Sequence, residues 1–130
     1  MTPRWKPIKL GADVPPPAGA YSPAVRAGDF LYVSGQVPRD VRSGATIGSD
    51  VVEQTRQVVS NLESVLAAAG AKLSDVVSVT VYLADPELWT AFNGVYRELR
   101  PQPYPTRTAV GASLRGFLVE ISAVAYLGER

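Results

Sequence analysis

The chain has 130 residues, 46% hydrophobic and 19% charged, with a formal net charge of +1. That is the length of one domain with a proper core, and its charge balance, free of basic runs, gives no reason to expect a nucleic-acid partner. Histidine and cysteine are both absent, which removes disulfides, thiolate nucleophiles, Ser-His-Asp catalysis and most zinc sites. Any catalysis has to run on carboxylates, hydroxyls, Arg, Lys, backbone groups and water.

Met1 to Lys9 is charged and contains proline. Without an apolar core it does not read as a signal peptide. No run approaches the length of a membrane span, so no membrane partner is expected and a cytoplasmic location is the default. Trp5 to Leu10 reads as a short first strand. Asp13 to Gly19 reads as an extended loop, because Pro15-Pro16-Pro17 excludes helix and sheet interior. Tyr21 to Arg26 and Asp29 to Ser34 read as strands joined at Ala27-Gly28, a hairpin signal. Arg39 to Gly48 is a loop that turns at Gly44 and Gly48.

Asp50 to Ala69 is the clearest helix. Asp50 and Glu53 have capping-box spacing, and Gly70 supplies the stop. Val52, Thr55, Val59, Leu62, Leu66 and Ala69 recur at helical spacing. Val76 to Leu83 is a strand, with Val77, Val79, Val81 and Leu83 on one face. Asp85-Pro86 opens a second helix as N-cap and first helical residue. Its apolar stripe is Leu88, Phe92, Val95, Tyr96 and Leu99. Pro101, Pro103 and Pro105 end it. One domain over 1–130 is expected, of α+β class: two helices on one face of a mixed, largely antiparallel sheet.

Tyr104 to Val110 and Phe117 to Ala123 read as a closing antiparallel hairpin, turning between Gly111 and Gly116. That places Arg107 opposite or nearly opposite Glu120. A carboxylate in a strand this apolar is costly unless something meets it. Read alone, the two form a cross-strand ion pair of about 0.2–1 kcal/mol. A planar guanidinium is also a good clamp for a substrate carboxylate. The sheet face away from the helices would carry Val76, Ser78, Thr80, Tyr82, Glu120, Ser122, Val124 and Tyr126. A face open to water normally carries more charge, and copies of the chain are the simplest cover.

Five segments in order resemble the Rid family, the YjgF-type reactive intermediate deaminases, also labelled L-PSP endoribonucleases. They are Pro17-Ala18-Gly19-Ala20-Tyr21-Ser22-Pro23-Ala24, Leu31-Tyr32-Val33-Ser34-Gly35-Gln36, Phe92-Asn93-Gly94-Val95-Tyr96, Tyr104-Pro105-Thr106-Arg107-Thr108-Ala109-Val110 and Val119-Glu120-Ile121-Ser122-Ala123. The resemblance implies a chorismate-mutase-like fold, a homotrimer around a central barrel, and active sites between subunits. It implies cofactor-free hydrolysis of enamines and imines such as 2-aminoacrylate and 2-iminobutyrate to 2-keto acids and ammonia. By position, Arg107 matches the carboxylate-binding arginine and Glu120 the glutamate that holds the attacking water. Tyr21 matches a tyrosine bordering the pocket; Ser34, Gly35 and Asn93 match residues that line or shape the cleft.

Taken without the resemblance, Tyr21 is a loop aromatic at a subunit boundary, Ser34-Gly35 a turn ending a strand, and Asn93 a polar residue on an exposed helix side. The chain departs from common family patterns at Ala20, Ala109 and Ser122, where proline, cysteine and glutamate are frequent. The span from Arg107 to Glu120 is about two residues shorter, which keeps side-chain parity but shortens the loop. Imine hydrolysis needs a held substrate, one placed water and one moved proton, within reach of an arginine and a carboxylate. The alternative is a trimeric module that binds small carboxylates or regulates a partner without turnover. A ribonuclease would lack its usual histidine pair and basic track.

Overall fold

The computed structural model describes residues 2–9, 11, 12, 14 and 16–128. The elements are β1 (Lys6–Pro7), β2 (Ala24–Ala27), β3 (Phe30–Gln36), α1 (Val51–Ala68), β4 (Val76–Leu83), α2 (Trp89–Leu99), β5 (Thr106–Gly111) and β6 (Val119–Tyr126). Single 3-10 turns, Leu73–Asp75 and Pro86–Leu88, lead into β4 and α2. The strands form one sheet in the order β1-β2-β3-β6-β4-β5. β4 and β5 run parallel; every other neighbouring pair is antiparallel. The α+β class with two helices on a mixed sheet is as expected. The first strand is shorter than expected, and Leu10, at its far end, lies outside the described residues. So do Asp13 and Pro15 of the expected loop; its described residues contain neither helix nor strand. No helix of the described residues is long and apolar enough to cross a membrane.

Local chemistry explains the element ends. Ala27 pairs with Phe30 across the β2–β3 turn, where Gly28 takes φ 60°. Asp50 caps α1 by accepting from the Glu53 amide at 2.8 Å. At the other end Gly70 has φ 74°. The Gly70 amide bonds to the Ala67 carbonyl at 3.0 Å and the Ala71 amide to the Leu66 carbonyl at 2.8 Å, the paired bonds of a Schellman stop. Asp85 accepts from the Glu87 amide at 2.9 Å, so with Pro86 it opens the 3-10 turn Pro86–Leu88 and not α2 itself, which starts later than expected, at Trp89, with no side-chain cap. The expected stripe of α2 is buried at Phe92, Val95 and Tyr96. The buried face of α1 is wider than its predicted stripe and includes Val51, Gln54, Val58, Asn61 and Val65. The helix packs on both the sheet and α2, so one narrow stripe is not enough.

Two expectations fail. β5 and β6 are not a hairpin, because β4 lies between them. β4, α2 and β5 form a crossover unit in which a helix returns the chain parallel to its first strand. β6 then pairs with the other side of β4. Arg107 is therefore opposite Val79, and Glu120 is opposite Tyr82. The second failure is at Val76 and Val77. The β4–β6 register slips between Val76 and Ser78. Val76 consequently turns into the core at 3% exposure while Val77 is 43% exposed.

The core lies between the sheet and the helices, around Leu31, Val58, Leu66, Val81, Phe92, Val119, Ile121 and Ala125. Leaving out Val76, the opposite face matches the expected residues. No described element covers it. Phe30, Tyr32 and Tyr126 stand on it, 39%, 48% and 49% exposed, with the Phe30 and Tyr126 rings 5.4 Å apart.

One buried polar side chain ties a loop to the core. Asn61 of α1, 1% exposed, donates to the carbonyls of Val37 at 3.1 Å and Arg39 at 2.9 Å. Truncation strands these acceptors. Asn61→Ala is expected to cost about 1–3 kcal/mol, read as a lower urea midpoint. A loss below about 0.5 kcal/mol, the level of an ordinary surface substitution, would show that the loop does not depend on this clamp.

Candidate active site in two half-clefts

β3 carries one extra residue against β6. Val33 pairs with Ala123 and Gln36 with Ile121, so the bulge falls at Ser34-Gly35. Bulges re-aim side chains beside functional sites. Here the effect is to bring the β3 backbone close to the Glu120 side chain. A Cβ on Gly35 would land on the Glu120 carboxylate, 2.8 Å from its Cδ. Only glycine leaves this space free. The Ser34 hydroxyl donates to the Ser22 carbonyl at 2.7 Å, and the Ser34 amide to the Pro23 carbonyl at 2.9 Å. These bonds hold the loop that carries Tyr21, whose hydroxyl accepts from the Ala18 amide at 3.2 Å. Tyr21, Ser34, Gly35, Arg39, Arg115 and Glu120 line one open cleft of about 650 Å³.

Glu120 is half-buried. Among the described residues its carboxylate is in no ion pair. Desolvation pushes its pKa above the ordinary glutamate value, because the charged form loses water without gaining a cation.

Arg107 lies elsewhere. Its guanidinium carbon stands 4.6 Å from the centroid of the Trp89 ring, 5.3 Å from Tyr96 and 5.8 Å from Phe92. Such faces attract a cation and hold its plane in place. Trp89, Asn93, Tyr96, Arg97, Tyr104 and Arg107 line a second cleft of about 470 Å³. Burial pushes the Tyr96 hydroxyl up, partly offset by the positive charges of Arg100 and Arg107. Asn93 sits one helical turn from Trp89 and Arg97, in the same row of α2. The aromatic bed was not read from the sequence. Trp89 sits a turn ahead of Asn93 and was a usable signal; Phe92 and Tyr96 read simply as core.

The structure thus brings Tyr21, Ser34, Gly35 and Glu120 together, and separately Asn93 and Arg107. Within one chain it does not join the two groups. Paired residues of neighbouring strands share a face. Arg107 shares the helix-covered face with buried Val79, while Glu120 shares the open face with Tyr82. Their strands are two spacings apart, roughly 10 Å.

The two helices on one mixed sheet define an α+β protein. The chain belongs to the Endoribonuclease L-PSP family, whose model matches residues 11–127. It is 42% identical over 123 residues to a RutC family protein of Pyrococcus horikoshii, covering 93% of this chain and 98% of that one. It is 39% identical over 119 residues to a 2-iminobutanoate/2-iminopropanoate deaminase of Capra hircus, covering 90% and 87%. The crystal structure of RidA from an Antarctic Psychrobacter superposes with a TM-score of 0.88 at 32% identity, over 93% of this chain and 99% of that one.

The raised pKa of Glu120 has a consequence for stability. Between the ordinary glutamate value and the raised one, the folded state binds more protons than the unfolded one. Stability contributed at this position therefore falls as pH rises through that window. Glu120→Gln removes the penalty. Calorimetric melting should show the variant above wild type near neutral pH, with the gap closing below about pH 4. A variant that melts lower at neutral pH would mean that the ionised carboxylate has a stabilising partner.

Proposed function

We propose that this chain hydrolyses small 2-imino acids, of the 2-iminopropanoate and 2-iminobutanoate kind, to 2-keto acids and ammonia. We propose further that it does so as a homotrimer, with sites completed between subunits. The placement of Arg107 and Glu120 on opposite faces of one sheet carries this reading. The Arg107 half-cleft has no carboxylate among its lining residues, the Glu120 half-cleft lacks the aromatic-bedded arginine, and a second copy packed on the open face can supply the missing half. The exposed aromatic residues on that face favour such a cover. The family membership and the deaminase among the relatives support the reaction class.

In this reading Arg107, bedded among Trp89, Tyr96 and Phe92, binds the substrate carboxylate through its fork. Asn93 lines the same end. Tyr21, Ser34 and Gly35 border the other end and set the position of Glu120. Glu120 orients a water and takes its proton as oxygen bonds to C2 of the protonated imine. The carboxyl returns the proton to nitrogen and, as a carboxylate again, accepts the proton of the new C2 hydroxyl while the C–N bond breaks, so that ammonia leaves a ketone behind. Burial that raises the Glu120 pKa brings it closer to the working pH, which suits both halves of this exchange. No metal or cofactor is assigned to the chemistry.

Arg107→Lys keeps the charge and loses the fork. It should weaken 2-ketobutyrate binding about ten- to a hundred-fold in calorimetry, as for loss of a charged hydrogen bond, with the trimer intact by sedimentation. Unchanged affinity would make Arg107 a structural residue.

Glu120→Gln retains shape and hydrogen bonding but cannot exchange protons. Trimers and keto-acid binding should survive, while acceleration of 2-iminobutyrate decay falls about a hundred-fold or more, the usual share of a general acid–base. A variant as fast as wild type would remove Glu120 from the chemistry. A wild type no faster than buffer across several imines would favour the alternative, a trimeric carboxylate-binding module, which Arg107 serves equally well.

A further inference from the structure

The cleft around Glu120 carries more positive charge than a monocarboxylate imine requires. Arg39 and Arg115 both line it, and Glu120 is the only carboxylate among its lining residues. Among the described residues neither guanidinium is ion-paired. Neither contributes to the titration of Glu120, whose shift has desolvation as its cause. The two cations are thus left unneutralised on the wall of one cleft. With Arg107 holding the first carboxylate, they are available to a second anionic group.

Arg39 is tied into its loop, and Arg115, an exposed residue, occupies a turn of unusual backbone conformation. The Arg39 carbonyl is clamped by buried Asn61 at 2.9 Å, its amide bonds to the Val37 carbonyl at 2.8 Å, and Arg39 pairs with Thr46 across the loop. Its Nε is buried and has no hydrogen-bond partner, a donor whose burial is costly until an acceptor arrives. Arg115 holds φ 58°, a left-handed conformation that is strained for a non-glycine residue. An arginine kept in a strained turn at the cleft mouth is an outlier that calls for a role.

We propose that the preferred substrates are 2-imino dicarboxylic acids, with Arg39 and Arg115 receiving the distal carboxylate at the Glu120 end of the site. The inference rests on the deaminase reading above and names its substrate class. The reaction is unchanged and balanced: water adds its oxygen to C2, the C–N bond breaks, and ammonia and a 2-keto dicarboxylate leave. The distal carboxylate takes no part in bond making. It anchors the far end of the substrate so that C2 lies between the arginine clamp and the glutamate.

The test compares 2-oxoglutarate, oxaloacetate and 2-oxobutyrate by calorimetry on the wild-type protein. It also measures hydrolysis of the iminosuccinate that an aspartate oxidase releases against that of 2-iminobutyrate. We expect one of the dicarboxylates to bind at least ten-fold more tightly than 2-oxobutyrate. In Arg39→Gln, and separately in Arg115→Gln, the ratio of dicarboxylate to monocarboxylate affinity should fall ten-fold or more. Two variants on different loops guard against a folding defect in either, and a ratio cancels a general loss of binding. Equal affinities in wild type, or a preference for 2-oxobutyrate, would overturn the inference while leaving the deaminase reading intact. A preference unmoved in both variants would overturn the assignment of Arg39 and Arg115. A wild type that binds none of the three and speeds neither imine would overturn both.

Discussion

β4 keeps Arg107 and Glu120 apart. Its antiparallel neighbour β6 carries the glutamate and its parallel neighbour β5 carries the arginine. Side chains on opposite faces of a sheet cannot meet without crossing the backbone, and strand parity offers no intermediate position. The constraint follows from the crossover through α2. That crossover gives the arginine its aromatic bed, since Trp89, Phe92 and Tyr96 all lie on the helix that returns the chain. The feature that positions Arg107 is therefore the feature that denies it Glu120 within one chain. Under the proposed function, assembly is a condition of chemistry as well as a cover for apolar surface.

Much of the fold was legible because its signals are local. Asp50, Gly70 and Asp85 mark helix ends by satisfying backbone groups within a few residues, and each behaves as its type predicts. The strand Val76–Leu83 was legible from composition. What escaped was pairing, which is not local. Tyr104 to Ala123 reads as a hairpin because two strand-like runs flank a glycine-bounded turn. The competing reading was present in the same sequence: strand, helix, strand is a crossover, and it brings β5 back parallel. The slip at Val76 and Val77 escaped for a related reason. Both are valines, so alternation alone could not say which one faces the core.

The candidate site was legible as residues and not as geometry. Each half-cleft gathers side chains whose types suit it, and the two environments differ in kind. Arg107 lies against aromatic faces, which stabilise a cation while shedding water. Glu120 loses water with no cation in compensation, which moves its titration upward. A chain without histidine has few other ways to obtain a proton carrier that titrates nearer neutrality. Gly35 makes this possible, since any side chain there would occupy the space of the carboxylate. From the sequence, Ser34-Gly35 read as a turn or a cleft residue; the bulge shows how it can shape both.

The rims of the Glu120 cleft are tied to the helix behind it. Gln54 and Asn61 lie seven residues apart on α1, two turns along one face, and both are buried. Asn61 holds the carbonyls of Val37 and Arg39 on one rim. Gln54 accepts from the Leu118 amide at 2.8 Å, just before β6 delivers Glu120, and donates to the Gly48 carbonyl at 3.1 Å. Two amide side chains in a largely apolar interior are costly unless fully bonded. Here they bond to loop backbone that has no ladder of its own. Apolar residues at these positions would pack against the sheet but leave both rims to find partners in water. The buried polar pair thus links the core of the molecule to the arginine and the glutamate at its edge.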